Sequence, residues 1–171
     1  MSKIDILGGD ILLSKDSFLK KNKADRVITL LLLVSIIATV IFIFSNSVQT
    51  IEASSKQSTE VKTIIAPALE PIVGEGNVTI LLVRKLAHLA EFGILGFELA
   101  LLMRKWFLPS FLMTLIIAAA DETLQIYSNR GARLSDVLLD FFGGCLGFAV
   151  GIGFVALVRI AIKAYREKKA A

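Results

Sequence analysis

A chain of 171 residues that is 55% hydrophobic, with mean hydropathy +0.72 and a net charge of only +4, is too apolar for a soluble domain, where ~45–50% is usual. Its positives form no stripe with interleaved aromatics, which argues against a nucleic-acid partner. A single cysteine, Cys145, excludes an intrachain disulfide, and one histidine beside one cysteine excludes a zinc site built from several such ligands.

The chain opens on a basic segment, residues 1–26, holding Lys3, Lys15, Lys20, Lys21, Lys23 and Arg26. Residues 27–44 are an apolar run near the ~20 residues that a membrane helix needs. The run is too long for a signal-peptide core and no A-x-A-like site follows it, so it reads as a retained anchor. A polar stretch, residues 45–77, comes next and contains Pro67 and Pro71. Inside it, residues 64–73 are apolar but too short to span; they fit an interfacial segment or one tucked into the mouth of a bundle.

The second span, residues 78–102, is interrupted by Arg84, Lys85, His88 and Glu91. A tight turn with Arg104 and Lys105 leads to the third, residues 106–127, which stays apolar until Asp121, Glu122 and Gln125. After a short loop with Arg130 and Arg133, the fourth span, about residues 135–162, opens on Asp136 and Asp140. A basic tail, residues 163–171, carries Lys163, Arg166, Lys168 and Lys169. The pattern predicts an all-α polytopic membrane protein, a four-helix bundle over residues 27–162.

Positive charge gathers in the N-terminal segment, the turn after the second span and the tail, which the positive-inside rule places in the cytoplasm. The topology expected is N-in and C-in, with residues 45–77 outside. Arg130 and Arg133 then face outward against the rule, which calls for a carboxylate partner or an anionic ligand. Every polar intrusion falls at the outer end. Ionisable groups at membrane depth cost several kcal/mol unless paired or wet, so their repetition at one depth predicts a site.

Helical spacing assigns faces. Arg84, His88, Glu91 and Glu98 share an arc of roughly 80°, whereas Lys85 points away, toward the interface. Asp121 and Gln125 share a face, with Glu122 about 100° round. Asp136, Asp140, Gly144, Gly147 and Gly151 form one stripe, and small residues at this spacing let membrane helices approach closely. Cys145, in the same glycine-rich run, belongs to that packing. Residues 45–49 are read either as a helix cap or as part of the polar cluster.

Three blocks resemble the VanZ-like membrane proteins: Phe44-Ser45-Asn46-Ser47; Arg84-Lys85-Leu86-Ala87-His88-Leu89-Ala90-Glu91-Phe92; and Asp121-Glu122 through Gln125 and Arg130 to Asp136-Val137-Leu138 and Asp140. Two departures stand out. Ser128-Asn129 replace the Pro-Gly that often precedes the loop arginine in the family, and Leu124 stands where a histidine is frequent. The family is named for a protein linked to teicoplanin resistance, and the resemblance implies a multi-pass protein of the bacterial plasma membrane. It supplies no mechanism.

The ligand-binding candidates are therefore Arg84, His88, Glu91, Asp121, Glu122, Gln125, Arg130, Asp136 and Asp140. In one reading the arginines hold the anionic group of an envelope lipid or a glycopeptide antibiotic and the carboxylates orient them. In a second, the chain is an intramembrane enzyme for a lipid-linked envelope substrate, with His88, Glu91 and Asp121 as catalytic candidates and His88 as acid or base; Asp121, Glu122 and Asp136 form an alternative oxygen set for a hard divalent cation. In a third, the polar groups only fix helix register for a partner complex. No metal or cofactor is assigned, and the oligomeric state is open.

Overall fold

The computed structural model describes residues 23–103, 105–131 and 133–170. Lys3, Lys15, Lys20, Lys21 and Arg104, on which the expected orientation partly leans, lie outside the described residues. Among those described the elements are all helices: α1 Lys23–Ser47, α2 Ile51–Val73, α3 Ile80–Met103, α4 Phe107–Tyr127 and α5 Leu134–Ala170. Four of them, α1, α3, α4 and α5, are long and apolar enough to cross a bilayer. They match the four expected spans.

Two boundaries differ from expectation. The stretch expected as a polar loop with a short apolar patch is mostly one helix, α2, capped by the Thr50 hydroxyl accepting from the Ala53 amide at 3.2 Å. It includes Pro67 and Pro71. Its buried Ser54 and Ser58 turn inward, while Ile64 and Ile72 stay exposed. Gly74 closes the helix at φ 91°, a left-handed conformation that glycine adopts without strain. The second difference is α5, which carries the expected tail as continuous helix. Its 37 residues rise about 55 Å at 1.5 Å each, far more than a hydrocarbon core of ~30 Å. The turns bearing Lys163, Arg166, Lys168 and Lys169 thus extend beyond the apolar zone.

The bundle is organised around α3 and α5, the most extensively packed pair. Glycines explain the closeness. A Cβ added at Gly147 would meet the Gly93 carbonyl oxygen at 1.8 Å, and one at Gly96 would meet the Gly144 carbonyl oxygen at 1.9 Å. Each helix therefore presses its backbone into the other's glycines. In lipid this contact matters, because apolar burial offers little drive when the surroundings are equally apolar. Around the seam, α1 and α4 contribute Ile36, Ile43 and Ala118 to a core with Phe92, Leu95, Leu99 and Phe148. Phe111 stacks edge-on against Phe148 at 5.3 Å and Phe141 at 6.2 Å, tying α4 to α5. Outward faces such as Leu31, Ile41, Val150 and Leu157 remain exposed, as lipid contact requires.

Candidate functional site

The helix ends that carry polar residues converge. The C-terminal end of α1, the first half of α3, the last turns of α4 and the first turns of α5 meet at one end of the bundle, with α2 beside α3. Spacing fixes which side chains face each other. Asp121 and Gln125, one turn apart on α4, share a buried face, and the Gln125 amide donates to Asp121 Oδ2 at 3.0 Å. The Ser47 hydroxyl from the end of α1 donates to Asp121 Oδ1. On α3, Glu91 accepts from the Asn46 amide at 2.8 Å. One turn earlier, His88 Nδ1 lies 3.7 Å from Asp121 Oδ2 and 3.5 Å from Asp140 Oδ1 on α5.

The surrounding cations are also placed. The Arg84 guanidinium donates to the Ser55 hydroxyl at 2.7 Å and to Ser58 at 3.4 Å, binding α3 to α2. Arg130 donates to the Asn46 carbonyl at 3.1 Å. Burial, and then the neighbouring Arg84 charge, lower the Arg130 pKa, with Asp121, Glu122 and Glu91 opposing. Glu122 is buried and accepts from the backbone amide of Arg133 at 2.5 Å, so it shapes the loop between α4 and α5. That loop turns at Asn129, φ 56°. Asparagine is among the few residues that adopt the left-handed region readily.

These groups surround a cavity of about 310 Å³. Arg84, Lys85, Arg130 and Arg133 line it together with His88, Gln125, Asp136 and Asp140, and Ile51, Leu81 and Leu139 add an apolar wall. A smaller cavity of about 80 Å³ adjoins, with Asn46 and Glu91 in its lining. Arg84, His88 and Arg130 line both.

All nine candidate ligand-binding residues thus lie at this end of the molecule. Three line the larger cavity alone (Gln125, Asp136 and Asp140), three line both (Arg84, His88 and Arg130), and Glu91 lines the smaller one. Asp121 lies behind His88, and Glu122 holds the loop. Lys85 corrects the expectation: it does not point away but lines the cavity, 3.8 Å from Asp136. Its side chain is long enough to reach back across the 100° that separates it from Arg84. Asn46 and Ser47 are working parts of the cluster rather than a helix cap alone. Ser55 and Ser58 were not singled out, because a helix of serines in a polar stretch gives no signal before its partner is known. The expected oxygen set of Asp121, Glu122 and Asp136 is not the one whose ligand atoms converge. Among the described residues, His88, Asp121 and Asp140 bring one ligand atom each within 4.8 Å of one another.

Glu98 lies apart. It is buried deeper in the bundle and accepts from the Ser35 hydroxyl of α1 at 2.5 Å. It pins α1 to α3.

Fold and site define a polytopic helical membrane protein with a charged cavity at one end of its bundle. Residues 30–157 match the VanZ/LLP1 family, about three quarters of the chain, and the chain belongs to that family. No curated protein and no solved structure matches it significantly.

Proposed function

We propose that this protein binds the anionic headgroup of an envelope amphiphile, a lipid or a lipid-linked precursor, in the larger cavity. One observation carries the reading: four cationic side chains from α3 and the α4–α5 loop line a single cavity that also has an apolar wall. Arginines suit phosphate and carboxylate because their planar forks donate two parallel hydrogen bonds. The apolar wall accommodates the first methylenes of an acyl or prenyl chain. A volume of about 310 Å³ is at the lower edge of small-ligand pockets, roughly 300–1,000 Å³. It holds a headgroup and not a whole glycopeptide, so any contribution to teicoplanin resistance runs through an envelope component.

The cavity opens, in this proposal, to the outer leaflet of a bacterial plasma membrane, with both termini in the cytoplasm. Helix direction supports it: Lys23 and Arg26 begin α1, and Lys163, Arg166, Lys168 and Lys169 end α5, at the end opposite the cavity.

The test is titration of the purified full chain, in an uncharged detergent, with a short-chain prenyl phosphate and its neutral alcohol. The phosphate is expected to bind saturably and the alcohol at least tenfold more weakly. Arg84→Ala combined with Arg130→Ala should weaken the phosphate at least tenfold. Equal binding of phosphate and alcohol, or unchanged binding by a folded double variant, sinks the proposal.

A second reading, an intramembrane enzyme with His88 as acid or base, is favoured by the position of its imidazole between Asp121 and Asp140 at the cavity wall. Turnover of envelope lipids by the wild type, lost in His88→Ala at full membrane level, is its signature.

A further inference from the structure

We propose that His88, Asp121 and Asp140 form a site for one first-row divalent cation, Mn²⁺ or Zn²⁺, at the floor of the larger cavity. Three helices supply the ligands: α3 the imidazole, α4 and α5 one carboxylate each.

The distances separate this arrangement from a hydrogen-bonded triad. A charge-assisted N–H···O bond closes to ~2.7–2.9 Å. His88 Nδ1 instead stands off both acids, 3.7 Å from Asp121 and 3.5 Å from Asp140, beyond productive hydrogen bonding. Two ligand atoms each ~2.0–2.2 Å from a shared ion, at angles near 90–109°, lie roughly 3–3.6 Å apart. The His88–Asp140 spacing lies in that range and the His88–Asp121 spacing just above it; all three ligand atoms lie within 4.8 Å of one another, a set that small side-chain rotations close onto an ion.

The second observation is Asp140 itself. It is 1% exposed, and neither carboxylate oxygen, nor His88 Nδ1, takes part in a hydrogen bond with the protein. A buried carboxylate without a donor costs several kcal/mol, and an ion at the cavity floor removes that cost. Asp121 shows the opposite pattern: Ser47 and Gln125 hold its two oxygens in place. Partners behind a ligating carboxylate orient it in metal sites generally.

The ligand set fixes the metal class. An imidazole favours zinc and other later first-row ions, and carboxylates favour harder ions such as manganese. Three protein ligands leave further positions open toward the cavity. The cation site does not rest on the headgroup reading, since it is probed with metal alone.

The experiment is titration of the full chain, stripped with chelator and held in an uncharged detergent, with MnCl₂ and separately ZnCl₂, by calorimetry. Pulsed EPR on the Mn²⁺ form reports nitrogen coupling from the imidazole. One equivalent per chain is expected for at least one metal, with nitrogen coupling for Mn²⁺ where it binds. Asp140→Asn should weaken binding at least tenfold, while Glu60→Gln, an exposed carboxylate of α2 outside both cavities, leaves it within threefold. Should Asp140→Asn fail to fold, His88→Gln takes its place; its imidazole is partly exposed, and the variant should lose both affinity and nitrogen coupling. Absence of saturable binding for both metals overturns the proposal. So does wild-type affinity in a folded Asp140→Asn or His88→Gln, or Mn²⁺ bound without nitrogen coupling.

Discussion

The two halves of the α3–α5 pair solve the same problem by opposite means. Toward the cavity, contacts between helices run through charged and amide side chains: His88 with Asp121 and Asp140, Lys85 with Asp136. Farther along, around Gly93, Gly96, Gly144 and Gly147, there is no side chain to speak of, and backbone meets backbone. The glycine seam gives the pair its separation and tolerates no addition. The polar end gives it chemistry, and carries buried groups with unused bonding capacity. A bundle held only by its polar end would have no reason to leave Asp140 without a donor; the seam supplies the rigidity that lets the site stay under-satisfied.

The sharpest way to break this comparison is to enlarge the seam. Gly147→Ala places a methyl where a backbone oxygen stands 1.8 Å away, and a backbone atom cannot rotate aside. We expect a loss at or above the top of the ~1–3 kcal/mol range for overpacking, read as a several-fold fall in membrane level and a lower thermal transition. Gly153→Ala is the control: nothing lies within 4 Å of the added methyl, so the same change should be neutral or stabilise by up to ~1 kcal/mol. Equal behaviour of the two variants would show that the seam is not what holds the helices.

The next effect is at Glu98, which belongs to neither half. Glu98→Ala deprives Ser35 of its acceptor and should cost about 1–3 kcal/mol, with headgroup and metal titrations unchanged. Coupled loss of binding would join Glu98 to the site. Smaller still is Arg84→Ala alone: headgroup affinity should fall about tenfold, or ~1.4 kcal/mol, with little change in the thermal transition. The difference from wild type should shrink as salt is raised, since Arg84 is only half-buried and charge that solvent ions can reach is screened. Salt-independent loss together with lowered abundance would instead make Arg84 a strut between α2 and α3. The smallest effect is expected at Lys85→Ala. Its partner distance is 3.8 Å and its side chain is 42% exposed, so thermal stability should change by under ~1 kcal/mol.

How much of this was legible beforehand differs by residue. Arg84, His88, Glu91 and Asp121 stand out in the chain because each interrupts an apolar run, and the high cost of charge at membrane depth turns an interruption into a signal. Asn46 and Ser47 carry no such signal: at the end of a span a small polar residue is equally at home as a cap. Lys85 was misplaced by helical geometry alone, since an angle of 100° between Cα positions says little about where a four-carbon side chain can put its ammonium.

The sequence by itself determined four spans, their polar ends and the glycine stripe, because hydropathy and the 3.6-residue repeat act locally and every backbone group in lipid must be satisfied within its own helix. It also carried the family resemblance, in short blocks of fixed spacing. Tertiary structure decided the rest: that α2 is a helix leaning its serines on Arg84, that Lys85 turns inward, and that among several nearby acids Asp121 and Asp140 are the two that share His88. Those pairings depend on how three separate helices are rotated and shifted against one another. Packing at the glycine seam sets that rotation, and no residue within one helix encodes it alone.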